Sequence, residues 1–184
     1  MLRRVATLCL TFALAACAAP TTVPPPLAAT FQEPYDLGPG DRLRITVFGQ
    51  ANLTGAYALD PAGRITMPLV GAVPAAGMTT TSLAQALEAR FRNGFLREPN
   101  VSVEIEAYRP FFVLGEVGNA GQYPFVAQMT AENAVAIAGG FTPRAYRKAV
   151  TVTRRKGNNI FKGEVPLTYP IRPGDTVTVE ERWF

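Results

Sequence analysis

The chain has 184 residues, 48% of them hydrophobic and 17% charged, with 16 glycines and 16 prolines. That is enough to bury a core in one compact unit or two small ones, and the glycine and proline content favours many short elements over long helices. The net charge is +4, with two cysteines and no histidine, so the commonest general base is missing, no Ser-His or Cys-His pair exists, and a protein zinc site of the usual kinds is disfavoured.

Met1 to Arg4 is a short basic start, and Val5 to Ala16 is an apolar run of 12 residues. The run is too short to span a bilayer and suits the hydrophobic part of a signal peptide. It ends at Leu14-Ala15-Ala16-Cys17, which resembles the bacterial lipoprotein signal, cut just before its cysteine. The resemblance implies cleavage between Ala16 and Cys17 and a lipid on Cys17. An ordinary secretory signal with a chance cysteine is the alternative. Cys9 would leave with the signal, so the mature chain could form no internal disulfide. Arg3 and Arg4 would leave too, and 16 bases against 14 acids give a mature charge of +2. Residues 18 and 19 are alanine, and the absence of aspartate after the cysteine favours the outer membrane. Ala18 to Thr30, with prolines at 24, 25 and 26, reads as an extended tether.

The folded part opens with the turn Gly38-Pro39-Gly40-Asp41. After it, Leu43, Ile45 and Val47 share one face while Arg42, Arg44, Thr46 and Phe48 share the other, which predicts a half-buried strand. A strand follows the turn where a phosphate-binding loop would need a helix N-terminus, so Asp41 reads as a turn former. Gln50 to Gly55 reads as a loop. Tyr57–Leu59 and Arg64–Pro68 read as short strands flanking the reversal Asp60-Pro61-Ala62-Gly63, and Leu69–Val73 is a further apolar run. Thr79–Phe95 is the main helix. Thr79 or Thr80 caps it, Leu83, Leu87 and Phe91 form its apolar face, Arg90 and Arg92 suit its C-terminal dipole, and Gly94 stops it. From Pro99-Asn100, Val101, Val103, Ile105 and Ala107 alternate with Ser102, Glu104, Glu106 and Tyr108. Glu104 and Glu106 have the pairing a glycosidase uses, but nothing else builds a cleft around them, and a solvated strand face is the preferred reading.

In the second half, Phe111–Val117 reads as a strand, Gly118–Gly121 as a turn and Tyr123–Val126 as a short return strand. Thr130 caps a short helix running to Ala138, which Gly139-Gly140 ends. Ala149–Thr153 is a strand, Lys156–Asn159 a turn, and Ile160–Val165 its partner. Arg172-Pro173-Gly174-Asp175 echoes the opening turn and leads into a last strand, Thr176–Val179. This order fits a small β-grasp-like unit, so the fold class is α+β. Gly115, Gly118 and Gly121 read as turn-permitting residues. Trp183 and Phe184 either finish the core or anchor at a membrane surface or a partner. Basic residues gather only at Arg144, Arg147, Lys148 and Arg154–Lys156, with no recognition motif, so no nucleic-acid partner is expected.

Taken in order, these motifs resemble the bacterial polysaccharide biosynthesis/export outer-membrane lipoproteins, short form. Tyr35-Asp-Leu-Gly-Pro-Gly-Asp41 with Arg42–Phe48, then Leu59–Gly71, Thr79–Leu83 and Glu98–Val103, resemble the family's export domain. Val113–Val117, Gly121–Tyr123, Ala138–Gly140 and Val150–Arg154 resemble the soluble-ligand-binding β-grasp module that follows it, although Ala120-Gly121 stands where the family usually has Pro-Gly. The resemblance implies a signal peptide at 1–16, a lipidated linker at 17–34, an export domain at 35–108 and a β-grasp-like domain at 110–184. Gly38, Pro39, Gly40 and Asp41 would be the structural motif of the first domain, and Gly115, Gly121, Gly139 and Gly140 that of the second. It implies a lipid-anchored component of a capsular or exopolysaccharide export apparatus on the periplasmic face of the outer membrane. Copies would form a homo-oligomeric ring through which polysaccharide passes. An inner-membrane polysaccharide co-polymerase and chain-length regulator would be a partner, and a separate outer-membrane barrel a further candidate. No catalytic residue, cofactor or metal is implied. Larger members carry a C-terminal amphipathic helix that lines a pore, and for this chain alone the resemblance leaves pore formation open. A non-transporting periplasmic glycan-binding lipoprotein is the alternative.

Overall fold

The computed structural model describes residue 31, residues 33–157 and residues 159–183. The expected signal peptide, the cleavage and lipid sites at Ala16 and Cys17, the tether to residue 30, and Phe184 lie outside the described residues.

The alternating run after the opening turn forms β1 (Arg42–Val47), with Leu43, Ile45 and Val47 buried and Arg42 and Arg44 exposed. β1 is the centre of a three-stranded antiparallel sheet, between β2 (Gly55–Ala58) and β5 (Val101–Ala107). A 3-10 turn, Ala51–Leu53, joins β1 to β2. β3 (Arg64–Met67) does not pair with β2. It forms a separate hairpin with β4 (Gly71–Pro74), which lies within and just beyond the expected apolar run. The Asp60–Gly63 turn therefore redirects the chain without building a ladder across itself. Ile65, Met67 and Val73 all turn into the core, and that burial sets the hairpin's orientation.

The main helix is α1 (Thr80–Arg92). Thr79 and Ser82 form a reciprocal capping box, each side chain accepting from the other's backbone N–H at 3.2 and 2.9 Å. Leu83, Leu87 and Phe91 are completely buried against the sheet. Glu88 accepts from the Val101 N–H at 3.0 Å, which fastens the helix to the start of β5.

The second unit is a five-stranded sheet built from β6 (Phe111–Gly115), β7 (Gly121–Tyr123), β8 (Ala149–Lys156), β9 (Asn159–Pro166) and β10 (Thr176–Val179). Its spatial order is β7-β6-β10-β8-β9. β10 inserts parallel to β6 and antiparallel to β8. A parallel neighbour needs a crossover, and α2 (Ala131–Ile137) with the β8–β9 hairpin supplies it. The result is α+β, with the β-grasp-like order expected. The return strand sits earlier than Tyr123–Val126. Its ladder ends at Tyr123, whose hydroxyl donates to the Asn119 carbonyl at 2.6 Å, and Phe125 leaves the sheet to pack on the core. Ala131, Ala134 and Ala138 bring α2 close to Phe111, Val113, Val152 and Val177.

Each unit has its own hydrophobic core. Trp183 is 96% exposed, so it does not finish either of them. No helix among the described residues is long and apolar enough to cross a membrane.

Phe91 is the largest side chain buried in the first unit. Phe91→Ala is expected to cost about 3–5 kcal/mol, read as a lower urea midpoint with an unchanged slope. A loss below about 1 kcal/mol would contradict the packing described here.

Candidate functional site

Around Asp41 the two units are joined by named contacts. Its carboxylate is fully buried, and a buried charge must be paired and hydrogen-bonded. Oδ1 accepts from the Arg109 backbone N–H at 2.8 Å, and Oδ2 accepts from the Gly38 N–H at 2.8 Å and from Arg109 Nη1 at 3.2 Å. The Tyr35 hydroxyl lies 2.8 and 2.7 Å from the two oxygens and donates between them. Arg109 then reaches into the second unit, where its Nε donates to the Pro173 carbonyl at 3.1 Å. The Gly174 N–H donates to the Pro110 carbonyl at 3.0 Å beside it.

The guanidinium also lies 5.4 Å from the centre of the Tyr35 ring, a cation–π distance. Close packing of Arg109 accounts for the glycine at position 38, where a Cβ would fall 2.0 Å from Nη1. An aromatic chain runs parallel to this ionic one. Tyr35 meets Tyr108 at 5.1 Å, Tyr108 meets Phe125 at 5.4 Å, and Phe125 meets Phe111 at 6.5 Å, all edge to face. Glu33 and Arg172 add an ion pair across the same boundary.

The closing turn repeats the opening one. Asp175 is also buried, accepts from the Arg172 N–H at 2.8 Å, and forms a two-pronged pair with Arg154 at 2.9 and 2.6 Å. Arg154 lies 5.5 Å from the centre of the Tyr169 ring. So Tyr35 and Asp41 have counterparts in Tyr169 and Asp175, with the same spacing of six residues and each with a distant arginine. Burial works against the Arg154 charge, but Asp175 outweighs it and holds the guanidinium's pKa above its ordinary value. Among the described residues, Asp41, Arg154 and Asp175 are the buried charges, and each is engaged in these turns.

The glycines singled out in the second unit serve its corners. Gly115 ends β6 at φ +85°, and a Cβ there would fall 2.1 Å from the Val179 carbonyl oxygen. Gly139 and Gly140 follow α2, where the Asn119 N–H reaches the Ala138 carbonyl at 2.7 Å. Gly121 opens β7. Glu104 and Glu106 lie on the exposed side of β5, and Glu106 pairs with Arg42 at 3.4 Å on the surface. Two surface hollows, of about 220 and 300 Å³, are lined by Thr80, Thr81 and Val101–Val103 in one case and by Leu69, Phe95 and Arg90 in the other. Neither contains a carboxylate. No cluster of three or more potential metal ligands occurs among the described residues. Arg109 and Tyr169 escape a reading of the sequence alone, while Tyr35 and Arg154 stand in it only as members of their motifs, without their partners. The repeated Tyr-to-Asp spacing was the available signal.

These features define a two-unit α+β protein whose buried charges serve its own fold and junction. Residues 29–106 match the family profile described as polysaccharide biosynthesis/export protein, and residues 110–165 match that of the SLBB domain. The exopolysaccharide production protein ExoF of Rhizobium meliloti (strain 1021) is 36% identical over 118 residues, which cover 58% of this chain and 28% of that protein. The polysialic acid transport protein KpsD of Escherichia coli is 29% identical over 164 residues, which cover 83% of this chain and 29% of that protein. The chain thus spans under a third of the length of these curated relatives. Together these matches support a protein of the polysaccharide biosynthesis/export family.

Burial first, and then the hydrogen bond to Asp41, push the Tyr35 pKa well above its ordinary 10.0, and burial raises that of Tyr169. Above about pH 10 the unfolded chain loses these protons while the folded chain keeps them, so folding stability falls as pH rises. Urea midpoints are expected to drop from about pH 10 upward, and to drop less steeply in Tyr35→Phe. Identical slopes in the two proteins would contradict the assigned role of Tyr35.

Proposed function

We propose that this chain is a periplasmic component of a capsular or exopolysaccharide export apparatus, anchored to the outer membrane by a lipid on Cys17. The observation that carries this reading is the tandem order, an export unit followed directly by an SLBB domain, with Arg109 bridging the boundary. The names of the relatives, exopolysaccharide production and polysialic acid transport, agree with it.

The role is passage of polymer, with no chemistry on the glycan. Residues 1–16 direct export, residues 17–34 form the lipidated tether, and the domains at 35–108 and 110–184 face the periplasm. Copies assemble head to tail into a closed ring, which requires two different surfaces on each copy that match each other. β2 and β5 end the three-stranded sheet, and β7 and β9 end the five-stranded one, so each unit has unpaired edges for such contacts. An inner-membrane co-polymerase and chain-length regulator delivers the polymer, and a separate outer-membrane barrel is the candidate exit.

Deleting the gene is expected to trap polymer in the periplasm. The full chain should restore surface polymer, and Cys17→Ser, which cannot accept the lipid, should restore less. The detergent-extracted lipoprotein should have a native mass several times that of one chain. Unchanged surface polymer after deletion would overturn the export reading, and a strict monomer with its lipid intact would overturn the ring.

A further inference from the structure

The five-stranded sheet has one face on its core and one that nothing covers among the described residues. Register assigns that outer face. Thr176 lies beside Thr153, and Thr178 beside Thr151, so four threonines form a two-by-two grid across β10 and β8. All four are half-buried, on the opposite side of their strands from the buried Val150, Val152, Val177 and Val179. None of the four hydroxyls has a hydrogen-bond partner among the described residues. Phe112 and Leu114, aligned with Thr176 and Thr178, extend the grid on the β6 side and are 40% and 46% exposed. On the β9 side Lys162 continues one row and Glu164 the other, with exposed Arg155 beside them at the hairpin end.

The chemistry of this face selects its occupant. A protein interface concentrates apolar and aromatic residues at its centre, whereas here the centre is hydroxyl and the exposed apolar residues lie at the margins, Phe112 and Leu114 on the β6 side and Ile160 at the end of the β8–β9 hairpin. Two cations and one anion are too few for a nucleic-acid track. Threonine hydroxyls both donate and accept, so the grid meets other hydroxyls in either sense. Its spacing is ~4.8 Å across strands and ~6.6 Å along them, on the scale of successive sugar rings. Phe112 offers a flat apolar surface to the C–H face of a sugar ring. At the other margin Lys162 and Arg155 suit an acidic substituent. Each hydrogen bond exchanged for one to water gains little, so a polymer here is held weakly and can slide.

We propose that the outer face of the five-stranded sheet binds a glycan chain carrying acidic groups, laid across the strands from Phe112 to Lys162. This rests on the export reading and specifies the surface and the charge of the polymer for it.

The test uses the full lipidated chain in detergent, with labelled threonine, leucine and isoleucine methyls observed by NMR. The probes are a polysialic acid oligomer and, as a neutral control, a dextran oligomer. Polysialic acid should shift the methyls of Thr151, Thr153, Thr176, Thr178 and Leu114, and dextran should shift them less. Lys162→Glu should weaken binding roughly tenfold, about 1.4 kcal/mol, without moving the urea midpoint. No shift with either probe, shifts confined to other residues, or protection of this face by a second copy would each overturn the proposal.

In a deletion strain, a variant with all four threonines changed to valine keeps the β-branched shape of each side chain. It should accumulate normally and restore less surface polymer than wild type. If it restores export fully, the track is wrong while the export role stands. If wild type itself restores nothing because deletion had no effect, the export reading is what fails.

Discussion

The Asp41–Arg109 pair is the contact on which the relation between the two units depends. A carboxylate without exposure to water needs its lone pairs filled, and here the donors come from three places in the chain. Gly38 belongs to the turn itself, and Tyr35 lies three residues before it. Arg109 belongs to the three-residue passage between β5 and β6, and it contributes both its backbone and its side chain. Satisfying Asp41 therefore fixes where the chain leaves the first unit. Because Nε of the same guanidinium holds the Pro173 carbonyl, it also fixes how the closing turn of the second unit approaches. Losing one partner of such a pair leaves the other charge buried alone, commonly at a cost of about 3–5 kcal/mol.

The closing turn shows the same device put to a local use. Asp175 takes its arginine from β8 of its own sheet, and the two prongs of Arg154 lock β10 between its neighbours. The opening turn takes its arginine from the passage between units. Arg172 stands at the position equivalent to Gly38, its N–H donating to Asp175 as that of Gly38 donates to Asp41. One motif thus anchors the strand after it, and the origin of the arginine decides whether it also joins domains.

Much of the local structure was legible in the sequence. Alternation placed Leu43, Ile45 and Val47 inward, the Leu83–Leu87–Phe91 stripe marked the buried face of α1, and Thr130 marked the start of α2. Those signals are short-range, because side-chain periodicity and capping depend on near neighbours. Strand partnership was legible for the β6–β7 and β8–β9 hairpins and not beyond them. Nothing local says that β3 turns away from β2 to pair with β4, or that β10 enters between β6 and β8. The junction was half legible. Gly38 to Asp41 stood out as a turn, but Arg109 lies 68 residues away from Asp41 and carries no pattern of its own. The open threonine face shows the same limit, since Thr151 and Thr153 meet Thr178 and Thr176 only once the register is known.

Among the contacts between the two small cores, Arg109 is the one that bonds both turns at once. The direct test is the relative orientation of the units in solution, read from residual dipolar couplings in the full chain and in Arg109→Gln. The account predicts that one alignment tensor fits both units of the wild type, and that the variant needs two distinct tensors while each unit keeps its own fold. A variant still fitted by a single tensor equal to that of the wild type would contradict the claim that Arg109 sets the junction.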